Sequence, residues 1–155
     1  MASGKQPLDV LDGLLDRVTK AGGDAADALV FDSASLAISQ RLGQPEKLER
    51  SESADVGLRV FVGQKQAIVS STDQSDEALD EMVERALAMA KAAPDDPFCG
   101  IAERGQIATE VPTLDIFDAT EPETQSLIDI ANAAEDAARS VPGVTNSEGA
   151  EVGWS

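Results

Sequence analysis

The clearest hydrophobic pattern in the chain is a strict alternation of apolar and other residues over positions 56–62. The apolar positions are Val56, Leu58, Val60 and Val62, and Gly57, Arg59 and Phe61 stand between them. Successive side chains of a β-strand point to opposite faces, so this alternation predicts a strand with one buried face. Gly63, Gln64 and Lys65 then favour a turn into a second apolar run at residues 67–69, which predicts a β-hairpin.

Three other segments carry apolar residues three and four positions apart, which is the spacing of one face of a helix. The first is residues 8–20, with Pro7 suited to its first turn. The second follows the N-cap candidates of residues 70–75 and ends before Pro94. The third begins with Thr120 as N-cap and Glu123 three residues later, a capping-box spacing, and Pro142 with Gly143 closes it.

The remaining strand patterns are less regular. Short apolar alternations around Ala28 and around Ile38 are separated by Asp32 and Ser33, a pair that favours a turn, so two strands are predicted there. Residues 47–53 are charged on both faces, which predicts an edge strand if they form a strand at all. Residues 94–117 predict a long ordered loop, with room for one short strand, and residues 144–154 predict a strand broken by a glycine.

The order of these elements lacks the strict alternation of a doubly wound sheet. It predicts an α+β fold with a mixed or antiparallel sheet and helices packed mainly on one face. Residues 1–6 are expected to form a flexible tail and residues 7–155 one domain. Because the chain stops inside a predicted strand, we expect it to be a fragment of a longer protein.

The charge of the chain restricts its partners. Asp and Glu number 29 against 12 Lys and Arg, which gives a formal net charge of −17. Such a surface repels phosphate backbones and anionic lipids, so we expect no direct nucleic-acid or membrane binding. No apolar segment resembles a signal peptide or a membrane span, and a cytoplasmic location is the default expectation.

The sequence offers little for metal or nucleophilic chemistry. It contains no histidine and one cysteine, Cys99, which therefore has no imidazole to act as its base. The acidic clusters lack the spacing of an EF-hand loop, and solvated helix faces explain them better. We therefore predict no catalytic, cofactor-binding or metal-binding residue in this stretch, although a hydrolase that uses carboxylates alone stays open.

Several segments together resemble a known family. They are residues 57–64, Ala67 with residues 70–73, residues 86–91, residues 94–97, residues 114–118 and residues 145–149. This pattern is similar to the N-terminal domain of the PmbA (TldE) branch of the TldD/PmbA metallopeptidases, a family to which the name modulator of DNA gyrase has also been attached. The resemblance spans nearly all of this chain but only about a third of a full-length member, which implies a missing C-terminal domain.

The resemblance implies a role as well as a fold. It implies a TldD-like partner that carries zinc, extended or unfolded peptides as substrates, and a contribution of this domain to the cleft and the partner interface; a homo-oligomer stays open. No position here matches the zinc ligands of the TldD branch, and Cys99 is not one of them. The candidate peptide or partner edge lies in residues 47–53 and comprises Lys47, Glu49, Arg50 and Glu52.

An alternative from another class also stays open. An acidic module could occupy a basic protein surface, such as that of a DNA-handling enzyme, by imitating phosphate charge. Its support is the net charge of −17 together with the gyrase-related family name. Binding of this kind should weaken strongly with added salt, which separates it from the peptidase-subunit hypothesis.

Overall fold

The computed structural model describes residues 6–155. In chain order the elements are α1 (Pro7–Lys20), β1 (Ala25–Arg41), β2 (Gln44–Val62), β3 (Lys65–Ser71), α2 (Asp76–Ala92), a 3-10 turn (Arg104–Gln106), α3 (Thr124–Arg139) and β4 (Ala150–Trp154). The flexible tail expected for residues 1–6 falls, except for Gln6, outside the described residues. The extent of the domain, 7–155, stays a prediction.

The four strands form one antiparallel sheet in the order β3-β2-β1-β4. In β2, residues 56–62 pair with residues 65–71 of β3, and in β1, residues 36–40 pair with residues 150–154 of β4. Helices and an antiparallel sheet in this order confirm the predicted α+β class. The described chain divides into two compact units, and β1 and β2 each contribute residues to both.

The first unit comprises the residues up to Asp32 together with Ser53–Thr113. Its core lies between the helices α1 and α2 and one face of the strands. Leu14 of α1 is completely buried, and burying a leucine in this way contributes roughly 1.5–3 kcal/mol. The remaining buried members are Val10, Val18, Val56, Leu58, Val60, Ala67, Val69, Leu79, Met82, Val83, Ala86, Leu87 and Ala90. Arg17 of α1 also forms ion pairs with Asp76 and Asp80 of α2, which fixes the two helices against each other.

The second unit comprises Ser33–Glu52 and Leu114–Ser155, and its apolar core is smaller. Leu36 and Ile38 of β1 pack against Leu127 of α3. Ile128, Val152 and Trp154, which are partly buried, complete this cluster. Because β1 presents only even-numbered residues to it, α3 covers one face of the strand in this unit.

The sequence prediction was wrong about the turn at Asp32 and Ser33. β1 runs without interruption from Ala25 to Arg41, so one long strand replaces the two short ones. The physical reason lies in the register: Ala28, Val30 and Leu36 all have even numbers, so the same face stays inward and no turn is needed to restore it.

The predicted N-cap of the third helix was also wrong. The cap residue is Glu123, and α3 begins at Thr124. The backbone N of Thr120 instead donates a 2.9 Å hydrogen bond to the Asp118 side chain, which forms a local Asx turn before the helix. The capping-box spacing at Thr120 therefore marks a turn that lies three residues before the observed N-cap, Glu123.

The strand predicted over residues 144–154 is limited to β4, Ala150–Trp154, whereas two further predictions for local structure are confirmed. The hairpin turns at Gly63, whose φ of 59° requires the left-handed region, and Ser75 caps α2 by accepting a 3.3 Å hydrogen bond from the backbone N of Ala78. The segment predicted as a long loop contains the 3-10 turn at Arg104–Gln106 and, within the described residues, no strand.

Candidate functional site

The four residues predicted as a peptide or partner edge, Lys47, Glu49, Arg50 and Glu52, lie in the first half of β2 and are exposed to solvent. β3 pairs with β2 only from Val56 onward. On the side of β2 where β3 lies, no strand of residues 6–155 pairs with residues 44–52. We name residues 44–52 the charged edge. Its sequence, QPEKLERSE, carries two positive and three negative side chains and one proline.

Short-range ion pairs organise the charged edge. The Lys47 Nζ lies 2.5 Å from Glu49 Oε2, and the Arg50 guanidinium lies 2.8 Å from Glu52 Oε1 and 2.8 Å from Glu121 Oε1. The hydrogen bond with Glu49 raises the pKa of Lys47, and the same bond lowers the pKa of Glu49. The contact with Glu121, followed by that with Glu52, raises the pKa of Arg50. Residues two apart share a face of a strand, so the pairs Lys47–Glu49 and Arg50–Glu52 each lie on one face of β2.

A second unpaired edge was missed in the sequence. β4 pairs with β1 only at residues 36–40, so residues 25–32, which we name the β1 edge, have no neighbouring strand on that side among the described residues. The sequence there is AADALVFD, with no lysine, arginine, proline or glycine. Leu29 and Phe31 are each 60% exposed. The signal was present as apolar residues at odd positions, but the predicted turn at Asp32 concealed it.

A shallow apolar groove adjoins the β1 edge within the first unit. It has a volume of about 430 Å³ and is lined by Asp27, Ala28, Leu29, Gly57, Leu58, Arg59 and Ile68. Gly57 forms its floor because it has no side chain; an added Cβ would lie 3.4 Å from Leu29 Cγ. Asp27 and Arg59 form a two-point ion pair at its rim, and the Arg59 guanidinium lies 5.1 Å from the ring centroid of Phe61.

One buried carboxylate organises the turn before the charged edge. Glu135 of α3 is 2% exposed, and its oxygens accept hydrogen bonds from the backbone N of Leu42 at 2.8 Å and of Gly43 at 3.2 Å. The bond from Leu42 is the main reason that the pKa of Glu135 is lowered. Leu42 has a φ of 51°, a left-handed conformation that costs a non-glycine residue about 1–2 kcal/mol. Glu135 therefore helps to hold a strained turn.

The described part of the chain shows no arrangement of side chains suited to metal binding or thiol chemistry. Over residues 6–155, no group of three or more Cys, Asp and Glu side chains is placed to hold a metal ion. Cys99 is half-buried in the loop after α2, where its backbone N donates a 3.2 Å hydrogen bond to the Asp96 carbonyl oxygen. None of the described helices is long and apolar enough to cross a membrane.

Among residues 6–155, these features define an α+β domain in which the charged edge, the β1 edge and the apolar groove are accessible. Residues 26–90, which include β1, β2, β3 and most of α2, match the family model described as PmbA/TldA metallopeptidase domain 1. This match confirms the predicted resemblance to the first domain of the PmbA/TldD metallopeptidases.

Two curated relatives carry the same resemblance. The chain is 32% identical over 127 residues to "Metalloprotease PmbA" of Escherichia coli O157:H7, a match that covers 81% of this chain and 28% of the relative. It is 31% identical over 137 residues to "Metalloprotease PmbA homolog" of Haemophilus influenzae, covering 88% of this chain and 30% of the relative. The chain thus spans less than a third of the length of either relative.

Solved structures share the fold. A proposed modulator of DNA gyrase from Bacteroides thetaiotaomicron superimposes with a TM-score of 0.80 and 17% identity, covering 99% of this chain and 34% of that one. TldE from Thermococcus kodakarensis superimposes with a TM-score of 0.68 and 19% identity, covering 84% of this chain and 29% of that one. At these identities the likeness establishes the architecture and not the activity.

Proposed function

We propose that this chain acts as the first domain of a PmbA-type subunit in a peptidase complex that cleaves unfolded or extended peptides. In this complex the zinc chemistry belongs to a TldD-like partner subunit, and the domain contributes to the cleft and the partner interface. The observation that carries the proposal is the match of residues 26–90 to domain 1 of the family, together with relatives named as metalloproteases.

The composition of the chain supports this division of labour. The 155 residues contain no histidine, and imidazole is the commonest protein ligand of catalytic zinc. A domain of this composition can still position peptides and partner surfaces through its strands and exposed side chains. The charged edge is suited to a partner subunit, because its side chains of both signs offer ion pairs at the rim of an interface.

Charged rim contacts govern association rate and specificity more than affinity. The two positive residues Lys47 and Arg50 and the negative residues Glu49 and Glu52 would therefore select the TldD-like partner over other surfaces. Such contacts weaken as ionic strength rises, because salt screens exposed charges that are farther apart than the Debye length, which is about 8 Å at 0.15 M salt.

Reconstitution tests the proposal. The family-length protein that contains this chain is mixed with a TldD-like subunit and an unfolded peptide, and cleavage is followed by mass spectrometry. We expect cleavage only when both subunits are present, and slower complex formation when Lys47 and Arg50 are both replaced by Glu. The matched control replaces Lys20 and Lys91, two exposed helix lysines, by Glu. Cleavage by the TldD-like subunit alone at the same rate would refute the proposal.

The net charge of −17 favours a second candidate, an acidic module that binds a basic protein surface. A protein of the same fold is named a proposed modulator of DNA gyrase, which suggests a DNA-handling enzyme as the first surface to test. Affinity for such a surface should fall steeply between 50 and 500 mM salt, roughly the range over which the Debye length shrinks severalfold. Binding that does not respond to salt would exclude this candidate.

A further inference from the structure

The β1 edge is an unusual surface for a native sheet. Edge strands present unpaired N–H and C=O groups, and natural proteins usually protect them with lysines, prolines, bulges or a covering element. Residues 25–32 contain neither lysine nor proline, and β1 is continuous through them. No strand among residues 6–155 lies beside this edge on its outer side. The edge therefore has the properties of a surface that receives another strand.

The side chains beside the edge favour apolar contact. Leu29 and Phe31 are each 60% exposed and Ile68 is 66% exposed. All three side chains lie on the same face of the strands. It is the face opposite to the one that packs Ala28 and Leu58 into the core with α1 and α2. Between them the missing side chain of Gly57 opens the groove of about 430 Å³. An extended segment paired with the edge could place an apolar side chain in this groove.

Charge discriminates between occupants of this surface. The rim pair Asp27 and Arg59 neutralises itself, which leaves the Asp32 carboxylate as the charge at the end of the edge. The Asp32 side chain is exposed and forms no hydrogen bond or ion pair with another described residue. A second copy of the chain would add another net charge of −17 and would bring its own Asp27 and Asp32 to the contact. A basic segment would instead be attracted.

We propose that the β1 edge and its groove form a docking site for an extended segment of a partner protein, with apolar residues at alternate positions and a lysine or arginine facing Asp32. Main-chain hydrogen bonds to the edge provide affinity, and side-chain contacts with the groove provide preference. The site lies on a different strand from the charged edge, and its existence does not depend on peptide cleavage or on a TldD-like partner.

Peptide binding to the 155-residue chain tests the proposal directly. The probe is a fluorescein-labelled peptide, Lys-Val-Thr-Val-Thr-Val-Thr-Val-Lys, whose anisotropy is measured as the chain is added. A second peptide has glutamates in place of the two lysines, and a third is N-methylated at alternate backbone nitrogens. We expect the lysine peptide to bind at least about tenfold more tightly than the other two, because they lose the charge contact or the strand pairing.

Variants of the chain locate the site. Leu29→Lys protects the edge in the way that natural edges are protected, and Gly57→Val fills the groove; each should weaken binding of the lysine peptide at least about tenfold. Asp32→Lys should reverse the preference between the lysine and glutamate peptides. The matched control is Ile130→Lys, since Ile130 is an aliphatic residue of α3 that is 54% exposed. Circular dichroism confirms that each variant is folded.

Three results would overturn the proposal. The first is binding of the lysine peptide that Leu29→Lys and Gly57→Val leave unchanged, or no binding to the native chain at all. The second is a dimer of the native chain, seen by sedimentation, that Leu29→Lys dissociates, because a second copy would then be the occupant. The third is binding to the 155-residue chain that is lost in the family-length protein, because another part of the same polypeptide would then cover the edge.

Discussion

Two open stretches of the sheet, the charged edge and the β1 edge, are of similar length and opposite character. The charged edge, residues 44–52, carries Pro45 and five charged side chains, whereas the β1 edge, residues 25–32, carries two aspartates and otherwise only apolar residues. Leu48 and Leu29 are equally exposed, at 61% and 60%, but only Leu48 stands between charged neighbours. Exposure alone therefore does not tell the two edges apart.

The difference shows how side chains decide what an open strand can do. Charges and proline on an edge disfavour main-chain pairing with another protein, because a docking strand would have to desolvate or displace them. The charged edge thus permits side-chain contacts and discourages strand addition. The β1 edge has less of this protection, because its only charged residues are Asp27, which pairs with Arg59, and Asp32, so its backbone groups are more available to a partner.

The largest effect is expected when the charged side chains are removed from the charged edge. We expect a variant with Lys47, Glu49, Arg50 and Glu52 all replaced by threonine to self-associate at least about tenfold more strongly than the native chain, because threonine favours strands and carries no charge. Sedimentation velocity over a concentration series measures the association constant.

The control for that variant must keep the net charge and the number of threonines. Asp12, Lys20, Glu77 and Lys91 are exposed on helices, and their replacement by threonine also removes two positive and two negative charges. This control should stay as dispersed as the native chain. Equal self-association of both variants would mean that lost surface charge, and not the exposed edge, drives the effect.

A smaller and more local change tests what holds the charged edge in place. Replacing Glu135 by Gln leaves one carbonyl oxygen for the two amides of Leu42 and Gly43, so we expect those amides to exchange with solvent roughly tenfold faster. Residues 25–32 should keep their exchange rates. Hydrogen exchange measured by NMR resolves the two regions, and Asp136→Asn, on an exposed position of the same helix, is the control. Faster exchange at both edges would show a general loss of stability instead.

The pH dependence of the same turn is a further test. The pKa of Glu135 in the folded chain lies below its ordinary value of 4.5, mainly because of the hydrogen bond from Leu42. A carboxylate of this kind contributes its full stabilisation above the ordinary pKa and loses it as the pH falls through the lower, folded value. Protection of the Leu42 and Gly43 amides should therefore decline only in acid below 4.5, and Glu135→Gln should show no such step. A loss of amide protection that begins above pH 4.5 would contradict the lowered pKa of Glu135.

The smallest effect is expected at the β1 edge itself. Leu29→Lys replaces an exposed side chain, so the free energy of unfolding should change by less than about 0.5 kcal/mol. Urea denaturation of the 155-residue chain measures this difference. A loss of more than about 1 kcal/mol would indicate that Leu29 is already covered in solution.

The fold was predictable where a single local signal decides it. The alternation at residues 56–62 and the cap at Ser75 needed no tertiary information, because side-chain period and cap chemistry are properties of a few consecutive residues. The continuity of β1 was harder, since Asp32 and Ser33 favour turns locally. The pairing of this strand and the even register on both sides of the polar pair outweigh that local preference.

The surfaces were predictable only in part. Charge on both faces marked residues 47–53 as an edge candidate, but the same logic could not detect the β1 edge, which resembles a buried strand in sequence. Whether an apolar strand is central or open depends on where β4 stops pairing, and that contact joins residues 36–40 to residues more than a hundred positions later. The role of Glu135 was hidden for the same reason.

The Glu135 contact also has a consequence for the order of events during synthesis. Glu135 lies 93 positions after Leu42, so the hairpin turn leaves the ribosome well before its carboxylate partner exists. At ordinary elongation rates of 5–20 residues per second, that delay is about 5 to 19 s. Through this interval the left-handed Leu42 has no anion to accept its N–H. We therefore expect the first hairpin of the sheet to become fixed only after α3 has been made, so that one of the last helices of the chain completes one of its earliest turns.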